Sequence, residues 1–261
     1  MEIFGVVNTS PDSKAEFSVV RDFSEAVARG AELLAQGADY FDLGGEGSTH
    51  GSNEVSAAVE WQRVERPLRG LLTLGAEVAI DTRKPEVARR ALDAGAAVLN
   101  AGEALQSPEM IELATEREVT VVLPFMLGRD FRSVRDVSGD PVAVMVEWFG
   151  EHIERLRRAG VAQELLLDCG VGFGPHDMEW PERAQYQRAV YSGLGKLRRF
   201  GLPLYVPVPW MQTPDRLELL DLALSHKPDY VRAHRPAQVR EHFDAIGAAN
   251  AAAVTPDQID S

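Results

Sequence analysis

Cysteine is almost missing from this chain. A single one, Cys169, in 261 residues excludes an intramolecular disulfide and fits a reducing cytoplasm. Long apolar runs are missing too. No stretch is long enough to cross a bilayer and the first residues do not read as a signal peptide, so a cytoplasmic protein without membrane contact is expected. Positive charge is in short supply, with 27 Lys and Arg against 40 Asp and Glu for a net charge of -13. That balance argues against non-specific nucleic-acid binding. It also means that an anionic substrate needs a local basic patch to overcome the global field.

What is present is ordinary globular material, 45% hydrophobic, with no low-complexity segment, linker or composition break. Its centre is the stretch Leu165-Leu166-Leu167-Asp168-Cys169-Gly170. Three leucines in a row predict a strand buried on both faces, as in a covered parallel sheet. Asp168 stands where the apolar run stops, and Gly170, Gly172 and Gly174 follow. A carboxylate at the end of a buried parallel strand, beside a glycine loop, is where α/β folds place ligand chemistry. The competing reading is a turn cap with glycines for tight backbone angles.

Around this centre the chain alternates. Strands are predicted at 3–7, 40–43, 77–81, 97–100, 119–125, from 165, at 203–208 and at 230–232. A capping box at Asp22 and Glu25, with Phe23, Ala26, Val27, Leu33 and Leu34 at helical spacing, opens the first helix. Others are predicted at 57–74, from Pro85, from Ser107-Pro108, at 141–158, at 182–199, from Thr213-Pro214 and at 237–249. Eight strand–helix units imply a parallel sheet, and in about 250 residues they fit a single-domain (β/α)8 TIM barrel. An open doubly wound sheet, the alternative, usually needs fewer strands. The expected organisation is a barrel over residues 1–250 followed by a flexible tail, 251–261.

The predicted strand ends carry Asn8, Asp42 with Glu46, Asp81, Asn100, Asp168, and Arg232 with His234. Each alone suits a helix cap. Together they read as a polar pocket at one pole of the barrel. Asp and Asn present paired donors and acceptors to a flat heterocycle, and a carboxylate accepts two N–H bonds at once. Arg232, His234 and Arg235 form a basic cluster suited to a phosphate or diphosphate, or else a solvated turn before the last helix. Arg83-Lys84 either adds to an anion site or decorates a helix start.

At this point the chain resembles the dihydropteroate synthases, the folate-pathway branch of the pterin-binding barrels, over nearly its whole length. Asn8-Thr9-Ser10-Pro11-Asp12-Ser13 resembles the family's Asn-Val-Thr-Pro-Asp-Ser. Asp42-Leu43-Gly44-Gly45-Glu46 with Ser48-Thr49 resembles Asp-Ile-Gly-Gly-Glu-Ser-Thr-Arg, and Ile80-Asp81-Thr82 the third-strand signature. Asp168 to Gly174 resembles Asp-Pro-Gly-Ile-Gly-Phe-Gly, and Val231-Arg232-Ala233-His234 the closing Arg-Val-His.

The resemblance implies condensation of a dihydropterin-methyl diphosphate with para-aminobenzoate or a related arylamine, with release of diphosphate. It implies that Asp81, Asn100 and Asp168 grip the pterin, and that Asn8 holds a magnesium ion near the diphosphate. Arg232 and His234 are the implied anion contacts. Asp81, Asp168 and Arg232 are the expected catalytic set. Asn100, Ser48, Thr49, His50, Phe173, Met211 and His234 are the expected substrate-binding set. The first two loops would close over the site, and a homodimer is implied.

The departures matter. Where the family carries Ser-Arg-Lys after the seventh strand, this chain has Pro209-Trp210-Met211. The aspartate after the fourth-strand asparagine is Ala101, and the sixth-strand proline is Cys169. In the second loop, either His50 replaces the family arginine with one inserted residue, or Thr49 does with none. Trp210 either stacks on a second substrate or packs in the core. Cys169 is a nucleophile or, preferably, a small buried residue. Two alternatives stand beside the synthase: a pterin-binding paralogue with weak or no activity, and a methyltetrahydrofolate-dependent methyltransferase.

Overall fold

Short polar residues fix the starts of several helices. Asp22 accepts from the Glu25 N–H at 2.9 Å and opens α1 (Phe23–Ala35), while Glu25 reaches back to the Arg21 N–H at 2.8 Å. Ser56 caps α2 (Ala57–Leu72), and Ser107 caps α4 (Pro108–Glu116). Asp140 caps α5 (Pro141–Arg158). Proline stands at the first turn of α4, of α5 and of α3 (Pro85–Asp93), where its missing N–H costs no bond.

Between the helices lie β1 (Glu2–Asn8), β2 (Tyr40–Gly44), β3 (Val78–Thr82), β4 (Val98–Ala101), β5 (Thr120–Pro124), β6 (Leu165–Asp168), β7 (Leu204–Pro207) and β8 (Tyr230–Ala233). In this computed structural model, which describes residues 1–47, 52–130, 132–135, 137–173 and 178–253, they close into one parallel barrel in sequence order. The closing pair is β1 with β8, in the register Phe4↔Arg232. The remaining helices are α6 (Glu182–Gly193), α7 (Arg216–Ser225) and α8 (Pro236–Ala253). The (β/α)8 barrel expected from the sequence is the fold observed.

Several boundaries differ from expectation. The helix predicted over 182–199 is α6 followed by a 3-10 segment, Leu194–Phe200. At the junction a Cβ on Gly193 would lie 2.5 Å from Val142 Cγ2, so only glycine lets this stretch approach α5 so closely. The seventh helix begins at Arg216, after a turn through Thr213 in which Arg216 N–H donates to the Thr213 carbonyl. At the other end of the chain, α8 runs on to Ala253.

Period-two alternation sorts the strand residues into two cores. Leu165, Leu167, Ile80, Leu99, Val121, Leu204 and Val206 point outward and pack against the helices. Phe4, Ala79, Val98, Val122, Leu166 and Tyr205 fill the barrel interior, with Tyr40 and Tyr230 against them. The leucine triplet is therefore buried on both faces, as predicted. The same parity turns Asp81, two residues beyond Ala79, and Asn100, two beyond Val98, inward. Asp168, two beyond Leu166, and Arg232, two beyond Tyr230, follow the same rule. The interior is apolar at its centre and polar at the C-terminal pole.

Candidate active site

Asp42 is the hub of the polar pole. It is fully buried, with Oδ1 accepting from Asn100 Nδ2 at 3.1 Å and Oδ2 accepting from Arg232 Nε. Arg232 Nη2 also lies 3.4 Å from Asp81 Oδ2. Asn100, Asp42, Arg232 and Asp81, from β4, β2, β8 and β3, thus form one hydrogen-bonded plate. Asp42 opens the quoted β2 motif and was among the polar strand ends expected at this pocket, but the sequence assigned it no catalytic or substrate-binding role. Its role is set by neighbours far away in the chain.

Asp168 stands at the end of β6. Its Oδ1 accepts from the Gly170 N–H at 2.8 Å. Gly170 has φ +66°, and a Cβ there would lie 2.2 Å from the Phe125 carbonyl oxygen, so no other residue fits this turn without a shift. Burial pushes the Asp168 carboxyl up to about 7, opposed by the Gly170 N–H and by Arg232. Burial and then Asp42 raise Asp81 as well, with Arg232 pulling it down. Burial on its own would lower Arg232, but Asp42 and Asp81 outweigh it and hold the guanidinium charged. The site therefore holds carboxyl groups that change charge near neutrality around one permanent cation.

Asn8 ends β1. Its Nδ2 donates to Ser18 Oγ at 2.7 Å, which leaves the amide oxygen without a hydrogen bond among the described residues. Ser18 in turn donates to the Ala15 carbonyl at 2.6 Å, so the first loop orients the amide. That loop also meets the second through Asp12, which accepts from the Asn53 N–H at 3.1 Å. Among the described residues no group of three or more His, Cys, Asp or Glu is placed to hold a metal.

Arg83 and Lys84 are committed elsewhere. Arg83 Nε lies 2.9 Å and Lys84 Nζ 3.0 Å from Glu46 Oε2, and Arg132 reaches Glu46 Oε1 at 3.3 Å. Arg83 also pairs with Glu54, and Lys84 with the buried Glu60. Burial would raise the Glu46 carboxyl, but the Val55 N–H, Arg83 and Lys84 more than offset it and hold it below the usual range. This network knits the second loop, the end of β3 and the loop after β5. It is a brace, with its cations matched by carboxylates.

On the opposite rim an aromatic group gathers. The Trp210 ring centroid lies 5.2 Å from His234 and 6.3 Å from Phe17, and Phe17 lies 5.8 Å from His234. Trp210 is therefore a partly buried rim residue, away from the core. Met211 beside it is 50% exposed. Burial, then Arg232, Arg29 and Arg235, push His234 down to about 3, so its ring is neutral. Cys169 is fully buried with its thiol pushed up by burial, which makes it inert packing. Ser48, Thr49 and His50 lie outside the described residues. Phe173 ends the 3-10 turn Val171–Phe173, and its side chain is likewise outside them.

Comparison with known proteins decides what kind of barrel this is. The pterin-binding enzymes, as a family, match residues 4–239. The chain belongs to that family. Within the pterin-binding enzymes it is similar to dihydropteroate synthase of Escherichia coli K12, 31% identical over 207 residues, which cover 78% of this chain and 71% of the relative. It is also 31% identical over 256 residues to the Escherichia coli type-1 dihydropteroate synthase, covering 91% of this chain and 90% of that one. Dihydropteroate synthase from Thermus thermophilus, solved in complex with 4-aminobenzoate, superposes with a TM-score of 0.77. The two are 27% identical over 95% of this chain and 93% of that chain. No helix among the described residues is long and apolar enough to cross a membrane.

Proposed function

We propose that this pterin-binding enzyme is a dihydropteroate-synthase-type transferase of the folate pathway. It would condense a dihydropterin-methyl diphosphate with 4-aminobenzoate or a related arylamine. The observation that carries this reading is the buried polar plate, Asn100–Asp42–Arg232–Asp81, facing Asp168 across one pole of the barrel. A flat heterocycle with a row of N–H groups fits such a set, because a carboxylate accepts two of them side by side.

The arylamine nitrogen attacks the methylene carbon of the pterin. The C–N bond forms as the C–O bond to diphosphate breaks, and the amine proton passes to water. Asp168 supplies negative charge beneath the ring as positive charge develops on it. Asn100 and Asp81 orient the ring edge, held in turn by Asp42 and Arg232. His234 faces the leaving group with a neutral ring. Roles for Ser48, Thr49, His50, Phe173 and Met211 at the second substrate are part of the same proposal, as are a cytoplasmic location and a homodimer.

The free amide oxygen of Asn8 fits magnesium, a hard cation that is commonly held by few protein ligands plus substrate phosphates and water. Bound there, it would neutralise charge on the diphosphate. The decisive assay supplies the pterin diphosphate, magnesium and an arylamine and follows diphosphate release. Turnover lost in Asp168→Ala supports the proposal, and no release with any arylamine sinks it.

A further inference from the structure

We infer that a cavity at the outer edge of the C-terminal pole is a second ligand site, taking a planar aromatic molecule that carries an anionic group. The cavity measures about 480 Å³ and lies between the β4–α4 loop and the β5–α5 loop. That volume is within the range of small-molecule pockets. Gln106, Gly128, Arg129, Ser133, Arg135 and Trp148 line it. None of the plate residues Asn100, Asp42, Arg232 and Asp81 does, and neither does Asp168.

The protein itself holds the wall of this cavity in place. Gln106 Nε2 donates to the Gly128 carbonyl at 2.6 Å and ties the two loops together. The Arg135 N–H donates to the Leu127 carbonyl at 2.7 Å and closes the β5–α5 loop on itself. Within that closure, Asp130 Oδ1 accepts from the Arg132 and Ser133 N–H groups at 3.1 Å. A Cβ on Gly128 would lie 2.5 Å from the Ser133 carbonyl oxygen, so the close approach needs glycine. Arg132 of the same loop is anchored on Glu46 at 3.3 Å.

The lining points to the class of ligand. Arg129 and Arg135 are exposed, and neither guanidinium has a carboxylate partner among the described residues. In a chain with 40 acidic against 27 basic residues, two such arginines on one cavity concentrate positive charge against the prevailing field. Their planar forks suit a carboxylate or a phosphate. Trp148 supplies the apolar wall. His152 stacks on it with ring centroids 4.4 Å apart, and Phe125 and Phe149 meet it edge to face at 5.5 and 5.1 Å. These contacts fix the indole from the core side, so the part that lines the cavity is a rigid surface for another ring. A ring packed on Trp148 with its acid group on the arginines uses both features.

The test is calorimetric titration of the full chain with two acids, adenosine monophosphate and 2-naphthoate, and with their uncharged counterparts, adenosine and 2-naphthamide. Saturable binding of at least one acid is expected, with its uncharged counterpart roughly tenfold weaker or worse. The double variant Arg129→Ala/Arg135→Ala changes only exposed positions and should keep the wild-type urea midpoint. It should weaken the acid by roughly tenfold or more, the usual loss for a charge-assisted hydrogen bond. Asp168→Ala should leave that affinity unchanged. Preference for adenosine monophosphate assigns the site to phosphate esters, and preference for 2-naphthoate assigns it to carboxylates. The inference is overturned if neither acid binds or if the folded double variant binds as tightly as wild type. It is equally overturned if Asp168→Ala abolishes binding, which would place the ligand inside the barrel.

Discussion

Asp168 is placed to cost stability for the sake of binding, and Asp168→Asn measures that cost. The substitution keeps the shape and the oxygen that accepts from Gly170 N–H, while removing the buried charge. With the carboxyl at about 7 in the fold against 3.8 as the ordinary value, wild type carries no penalty below about pH 4. The penalty then grows as pH rises to 7, because the unfolded chain releases this proton earlier than the fold does. At about 1.36 kcal/mol per pH unit, the full difference is roughly 4 kcal/mol by pH 8, of which between about 2 and 3 accrues above pH 5. Asp168→Asn should therefore be the more stable protein, by a margin that widens from pH 5 to 8 in urea unfolding. Pterin affinity should move the opposite way, falling in the variant and, in wild type, falling as pH drops below about 7. Parallel stability curves for the two proteins across that range would refute the electrostatic account of Asp168.

Glu60→Gln removes the buried charge that accepts from Thr82 Oγ1 at 2.6 Å and pairs with Lys84, while Glu46 still faces Lys84 at 3.0 Å. A loss of roughly 1.5–3 kcal/mol is expected, read as a lower urea midpoint at constant m-value. No change would mean that the brace adds nothing net. Met211→Lys places a cation on a half-exposed rim position where the family has one. Turnover should rise by roughly tenfold or more with stability within about 0.5 kcal/mol of wild type, and a folded variant with unchanged turnover refutes it.

The eight strands and helices were legible because period and punctuation are local. The leucine triplet gave β6, and Asp22, Ser107 and the prolines at 85 and 108 gave helix starts, each through chemistry within one turn of chain. The polar groups at the strand ends were legible for the same reason: alternation puts every second residue inside, and the last of them lies at the pole. The chain's own sequence also carried most of the family motifs, with Pro209-Trp210-Met211, Ala101 and Cys169 as departures from them.

Other features depended on residues brought together from distant parts of the chain. Arg83-Lys84 read equally well as an anion site until Glu46, Glu54 and Glu60 were seen to take its charge. Asp42 became the hub only when barrel closure set Arg232, 190 positions away, against it. Ala104 and Leu105 are left-handed at φ 57° and 50° with no glycine to announce it, because His152 and Arg155 hold their carbonyls from α5. The sequence by itself determined the order of elements and which side chains reach the pole, since both follow from spacing along the chain. Tertiary structure alone decided which charges cancel and which are left for a ligand, since that depends on distances through space between groups that no local pattern relates.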